Sequence, residues 1–522
     1  MASNHVCTPY TRFRPNNYEK INAIMQPAAV RSCGILLHPT SLPGPHGIGS
    51  LGAHARAFID FLHTAGQSLW QVLPLGPTGY GDSPYASSST FAGNPLLIDL
   101  EPLVADGWLL PSDVDHAPAS TSHVNYAEVV PFKTAMLRRA SERFRTTASG
   151  DRKAKFDAFQ HEHAWWLEDF ALFDAIKQAH DGRSIREWDN EVRRRAPQTI
   201  ERVKTQLATE IHRRRITQFL FFEQWEALRT YAHAKGVRVV GDVPIFVAFD
   251  SDAVWARPEL FKVDENLVPS VVAGVPPDYF AEAGQLWGNP LYNWDAHAKE
   301  GFAWWLDRMK MALHLADIVR LDHFRGFEAA WEVPADHTDA RRGTWVTGPG
   351  DALFDAMRER FGHLPLIAED LGVITDEVRA LRDRHQLPGM HVLQFGFGAD
   401  DDRCYAPHRA VQNGVVYTGT HDNDTTNGWY RTLPPKDRAF IQSYLDIDDT
   451  SRDSVHKQMI RAAYGTVANT AIIPMQDVLG LGSEARMNTP GQVGPWWAYR
   501  LETQPNQDVA DDLKLLTQLY DR

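Results

Sequence analysis

A chain of 522 residues, 43% hydrophobic and 23% charged, is long enough to bury a large core and has the balance of an ordinary globular protein. A net charge of −13 with no offsetting basic stripe excludes a nucleic-acid backbone as partner, and no apolar run approaches the ~18 residues of a membrane span. Cys7, Cys33 and Cys404 are too few and too scattered for a disulfide framework or a metal knuckle, so a reducing, cytoplasmic setting is expected.

Residues 1–33 show little periodicity and read as an irregular arm, not a targeting leader. From residue 34 onward, short apolar, β-branched runs recur, each closed by Gly, Pro or polar residues. They are "GILLH" from Gly34, "WQVLPL" from Trp70, "VRVVGD" from Val237 and "DIVRLD" from Asp317. "LPLIAED" from Leu364, "MHVLQFGF" from Met390, "VVYTGT" from Val415 and "AIIPM" from Ala471 complete the set. Helical patterns lie between many of them, such as "GFAWWLDRMKMALHLA" from Gly301 and "DALFDAMRERF" from Asp351. This alternation predicts parallel βα units, and the number of runs predicts an α/β fold, a closed (β/α)8 TIM barrel over residues 34–522. An open doubly wound sheet is the alternative.

Two gaps are too long for plain crossovers. About 101–230, the chain is charged and helix-rich ("REWDNEVRRRAPQTIERVKTQL") and reads as an inserted helical subdomain. About 246–295 it is loop-rich and dense in Pro, Gly and aromatics ("PPDYFAEAGQLWGNPLYNW"), the composition of a long active-site loop acting as a lid.

Charge gathers where the runs end. In "DIVRLDHFRGF" the period of a strand points Arg320 and Asp322 to one face. The C-terminal end of a barrel strand is where such folds place their chemistry. A guanidinium there holds a carboxylate ionised, as a nucleophile requires, although a purely structural ion pair would look the same. "LPLIAEDLG" ends on Glu369 and Asp370 after a wholly apolar stretch, and a carboxyl in such surroundings keeps its proton to higher pH and can act as an acid. Asp370 could equally cap the turn that follows. "YTGTHDNDTT" offers His421, Asp422 and Asp424, whose spacing matches no zinc signature, and "GDVPIFV" places Asp242 at the end of the third run. Acids closing several neighbouring strands cost stability unless something uses them. One carboxylate kept ionised beside one kept protonated is the equipment for cleaving a glycosidic bond.

The same blocks, in the same order, resemble the 4-α-glucanotransferases, the amylomaltases or disproportionating enzymes related to the α-amylase barrels. The likeness runs from "GILLHPTSLPGPHGIGSLG" through "GYGDSPYASSSTFAGNP", "GQLWGNPLYNW", "VRLDHFRGF", "IAEDLG" and "YTGTHDNDTT" to "GLGSEARMNTPG". It implies retaining transfer of α-1,4-glucan segments between maltooligosaccharides or longer glucans, with glucose also an acceptor, and neither cofactor nor metal. By the same likeness Asp322 is the nucleophile, Glu369 the acid/base, and Asp422 the third carboxylate that binds sugar hydroxyls. Ser83, Tyr85, Asp242, Arg320 and His421 would line the sugar site, Gln285 and Trp287 would belong to the lid, and Asn488 would complete the pocket. Trp496 stands where the family pattern has Asn. A hydrolase on the same barrel is the near alternative. A sugar-binding barrel without catalysis is the remote one, and it would be expected to have lost one of the three acids.

Overall fold

The computed structural model describes residues 31–277, 282–397, 403–447, 455–492 and 494–522. The expected N-terminal arm therefore lies almost wholly outside the described residues. Eight strands close into a parallel barrel: β1 (Ser32–Leu36), β2 (Leu69–Gln71), β3 (Arg238–Val243), β4 (Ile318–Leu321), β5 (Leu366–Ala368), β6 (Gly389–Val392), β7 (Gly414–Tyr417) and β8 (Thr470–Pro474). Each pairs with its sequence neighbours, and β8 returns to β1. All eight apolar runs thus become barrel strands, because strands covered on both faces need continuous hydrophobic sequence. Closure also needs small residues: a Cβ on Gly34 would sit 2.4 Å from Leu69, so only glycine lets β1 and β2 approach.

The two helical patterns form helices Ala303–Leu315 and Asp351–Phe361, which precede β4 and β5. Between β2 and β3 the chain is helical, with long helices at Tyr126–Thr147, Gly150–Ala179 and Ala208–Ala234. Their buried faces, including Phe144, Phe156, Trp166 and Phe219, belong to the same hydrophobic cluster as the barrel strands.

The stretch read as loop-rich contains regular structure. Strands Val271–Val275 and Gln285–Pro290 pair antiparallel, and Val271–Val275 also pairs with Ala329–Pro334, which pairs in turn with Thr344–Thr347. This four-stranded sheet is built from the segments that follow β3 and β4. Residues 278–281, between its first two strands in sequence, lie outside the described residues. Among the described residues no helix is long and apolar enough to cross a membrane.

Candidate active site

The barrel's register brings the acids together. Asp242 of β3 pairs with Arg320 of β4, and Leu321 of β4 pairs with Ala368 of β5, so Asp322 and Glu369 leave neighbouring strands at the same level. Arg320 is the centre of the group. Its Nη1 donates to both oxygens of Asp242, at 2.9 and 2.8 Å, and lies 2.9 Å from Asp322 Oδ1. Burial pulls the guanidinium down, but Asp242 and Asp322 outweigh it and hold Arg320 charged. The side chain of Asp242 is wholly buried whereas that of Asp322 is 27% exposed, so Arg320 presents Asp322 to the cleft from beneath.

After Asp322 the backbone turns sharply, with His323 in the left-handed region at φ 47°, ψ 53°. A non-glycine residue there is strained by ~1–2 kcal/mol and persists only where its surroundings fix it. The fixing contact is its own N–H, which donates to Glu369 Oε2 at 2.6 Å. Glu369 Oε1 accepts from Leu371 N–H at 3.1 Å. Burial pushes the Glu369 carboxyl well above the usual carboxylate range and the Asp322 charge adds to this, while Arg320 and the His323 N–H oppose it. The two carboxyls, from neighbouring strands, thus have unlike surroundings, one against a guanidinium and the other largely enclosed and held by backbone N–H groups.

The neighbouring acid in "AEDLG" is occupied elsewhere. Asp370 accepts the Met390 N–H at 2.8 Å and the Arg382 guanidinium, tying β5 to β6. It caps no helix, the next one beginning at Asp376 with Thr375 at its N-cap.

Asp422 comes from the segment after β7. Its Oδ1 accepts from Asn488 Nδ2 at 2.6 Å, its Oδ2 lies 3.3 Å from His421 Nε2, and its carbonyl accepts from Arg486 at 2.7 Å. The side chain is 41% exposed and faces the opening. The His421 ring stacks on Tyr85, with centroids 5.0 Å apart and planes at 16°. Tyr85 donates its hydroxyl to Asp242 Oδ2 at 2.8 Å, which joins the β7 segment to the Asp242–Arg320 pair. Burial, reinforced by the Asp242 carboxylate, keeps that phenol neutral and a donor. Ser83 sits at the base of the same turn and accepts the Tyr85 N–H at 3.2 Å. Across the opening, Trp287 stands edge-on to His323 at 4.7 Å and donates Nε1–H to Gln285 Oε1 at 3.2 Å. Tyr85, Asp242, Arg320, Asp322, Glu369, His421, Asp422 and Asn488 are therefore linked at the C-terminal ends of the barrel strands, with Ser83 beneath Tyr85 and with Trp287 and Gln285 reaching them through His323. Such a group can present an ionised oxygen and a proton to one bond, and its rim of ring faces and hydroxyl partners suits a polyol.

A family model described as 4-alpha-glucanotransferase matches residues 37–505. This chain belongs to the 4-alpha-glucanotransferase family. The 4-alpha-glucanotransferase of Thermus thermophilus is 52% identical to it over 476 residues, 90% of this chain and 95% of that sequence. That of Synechocystis is 46% identical over 497 residues, 94% of this chain and 98% of that sequence. The amylomaltase of Streptococcus agalactiae, solved in complex with acarbose, is similar with a TM-score of 0.91 at 37% identity, covering 94% of this chain and 99% of that one.

In this 4-alpha-glucanotransferase family member three further residues border the site that the sequence reading left aside. Trp497 packs against both Tyr85 and His421, with centroids 5.6 and 5.9 Å away. Arg486 holds the Asp422 backbone. His38, buried after β1, accepts the Leu73 N–H and is held neutral, its pKa pulled down to about 3 by burial and by nearby His421. His38 and Arg486 lie inside the blocks "GILLHPTSLPGPHGIGSLG" and "GLGSEARMNTPG" and Trp497 follows Trp496, so the signal was present, but only folding brings them to His421, Asp422 and Tyr85.

Proposed function

We propose that the chain is a retaining 4-α-glucanotransferase that moves α-1,4-glucan segments from one maltooligosaccharide or glucan to another, or to glucose. The observation that carries this reading is the unlike pair Asp322 and Glu369 on neighbouring strands. Asp322, held by Arg320, attacks the anomeric carbon while the C1–O bond breaks and Glu369 gives its proton to the departing oxygen. An acceptor hydroxyl then loses its proton to Glu369, attacks the same carbon and releases Asp322. Asp422, aimed by Asn488, accepts from sugar hydroxyls. Asp242, Arg320, Tyr85, His421 and Ser83 shape the sugar site, and Gln285 and Trp287 cover it, which favours a sugar hydroxyl over water as acceptor.

The helix-rich segment at about 101–230 is taken as an insertion into a single catalytic barrel spanning 34–522. The buried thiol of Cys33, which makes no disulfide, supports a reducing compartment, and we place the protein in the cytoplasm. Incubation with maltotriose alone tests the activity. Transfer yields glucose together with both shorter and longer oligosaccharides, whereas a hydrolase yields shorter products only.

A further inference from the structure

The turn that carries Tyr85 borders a recess. It is lined in part by Tyr85, Ser87, Ser89, Thr90 and Asp242 and, on the side of helix Ala303–Leu315, by Arg308 and Met311. Phe91 anchors the far end of the loop edge-on against Trp304 of that helix, with centroids 6.1 Å apart, and directed bonds hold the stretch between it and Tyr85. Two of them converge on one buried acid that has no part in the chemistry above. Asp252, 3% exposed, opens the short helix Asp252–Ala256 beyond β3. Its N–H donates to Ser88 O at 3.0 Å, and its Oδ2 accepts from Ser89 Oγ at 2.6 Å.

Ser89, 1% exposed, leaves no freedom in this arrangement. Its Oγ accepts the N–H groups of both Phe91 and Ala92, each at 3.2 Å. A hydroxyl has two acceptor sites and one proton, so with both sites filled the proton has to go to Asp252. Ser87 Oγ donates to Ser89 O at 2.7 Å, and Tyr85 lies two residues further back. We propose that Asp252 is a positioning residue for glucan transfer: by accepting the Ser89 proton it fixes the 83–92 loop and so holds the Tyr85 hydroxyl on Asp242. The Asp242–Arg320–Asp322 chain of contacts then carries that placement to the nucleophile. The proposal rests on the transferase reading for its kinetics, but not for its structural content.

The test compares Asp252→Ala, which leaves the Ser89 proton without an acceptor, with Asp252→Asn, whose amide oxygen keeps one. Hydrogen–deuterium exchange over residues 83–92 is expected to rise in Asp252→Ala and to stay near wild type in Asp252→Asn. In maltotriose disproportionation, Asp252→Ala should lower kcat by about 10- to 100-fold with less change in KM, and Asp252→Asn by no more than about threefold. In a Tyr85→Phe background the Asp252→Ala loss should shrink to about twofold, since the hydroxyl it positions is gone. Should Asp252→Ala fold poorly, Ser89→Ala should reproduce the exchange change. Unchanged exchange in the 83–92 segment, or an equal loss in both backgrounds, overturns the proposal. Wild-type protein without transfer would overturn the transferase reading instead, with the exchange comparison still deciding this one.

Discussion

The backbone N–H of His323 donates to Glu369 Oε2 across 2.6 Å, so the residue following one carboxylate fixes the other. The strained left-handed turn at His323 and the placement of Glu369 are therefore one feature. Neither acid can shift without the other's loop responding.

Glu369→Gln is expected to lower transfer by ~10²–10⁴-fold, the usual contribution of a positioned acid/base group. It should also destabilise the fold, because both Glu369 oxygens accept backbone N–H groups and an amide can accept on only one side. The NH2 group would then face a donor, at ~1–3 kcal/mol. Initial rates and thermal unfolding measured together check this. Near-wild-type turnover would remove the acid/base assignment.

Asn488→Asp should harm the site more than Asn488→Ala. It sets a second carboxylate at the 2.6 Å contact with Asp422, where the two like charges repel. The expected loss in kcat/KM at pH 7 is about tenfold or more, shrinking as the medium is acidified and the two acids share a proton. A pH–rate profile that keeps its wild-type shape would contradict it.

Trp287→Ala removes a half-exposed ring that stands over His323 at the opening. KM for maltooligosaccharides should rise by about 2- to 10-fold, in line with a lost aromatic contact. The share of turnover ending in hydrolysis should also rise, because water gains access. Quantifying free glucose against the oligosaccharide ladder separates the two effects.

His297 is fully buried among Tyr292, Trp294 and Trp304, and burial pulls its pKa down to about 4. Between pH 6.5 and 4 the unfolded chain binds a proton here that the folded chain refuses, so this residue costs stability as pH falls. His297→Phe should therefore gain on wild type in acid, by about 2 kcal/mol at pH 5 relative to pH 7.5. Urea unfolding of the two proteins at both pH values measures the difference directly. An unchanged gap would mean that the ring is already protonated or exposed.

The barrel was legible because every one of its strands is covered on both faces and so carries an unbroken apolar run. The acids were legible for a related reason: Asp242, Asp322 and Glu369 interrupt those runs at their ends, where charge has no packing purpose. The four-stranded sheet was not. Gln285–Pro290 is largely exposed and contains a glycine, so it shows neither alternation nor hydrophobic density. Residue-level ambiguity had another cause. Glu369 and Asp370 are adjacent, and only the through-space partners of Asp370, Met390 N–H and Arg382, separate their surroundings. Trp497 and His38 reach the site from opposite ends of the chain, a proximity that no local pattern encodes.

The four-stranded sheet is stitched from both sides of β4: its first hairpin precedes helix Ala303–Leu315, and its second follows Asp322. An engineer who transplanted Val271–Pro290 alone into a sister scaffold would leave behind the ladder with Ala329–Pro334 and export a raw β-edge prone to self-association. Tailoring of product size by segment exchange would therefore have to move the two excursions as a matched set, carrying the Asp322 strand between them.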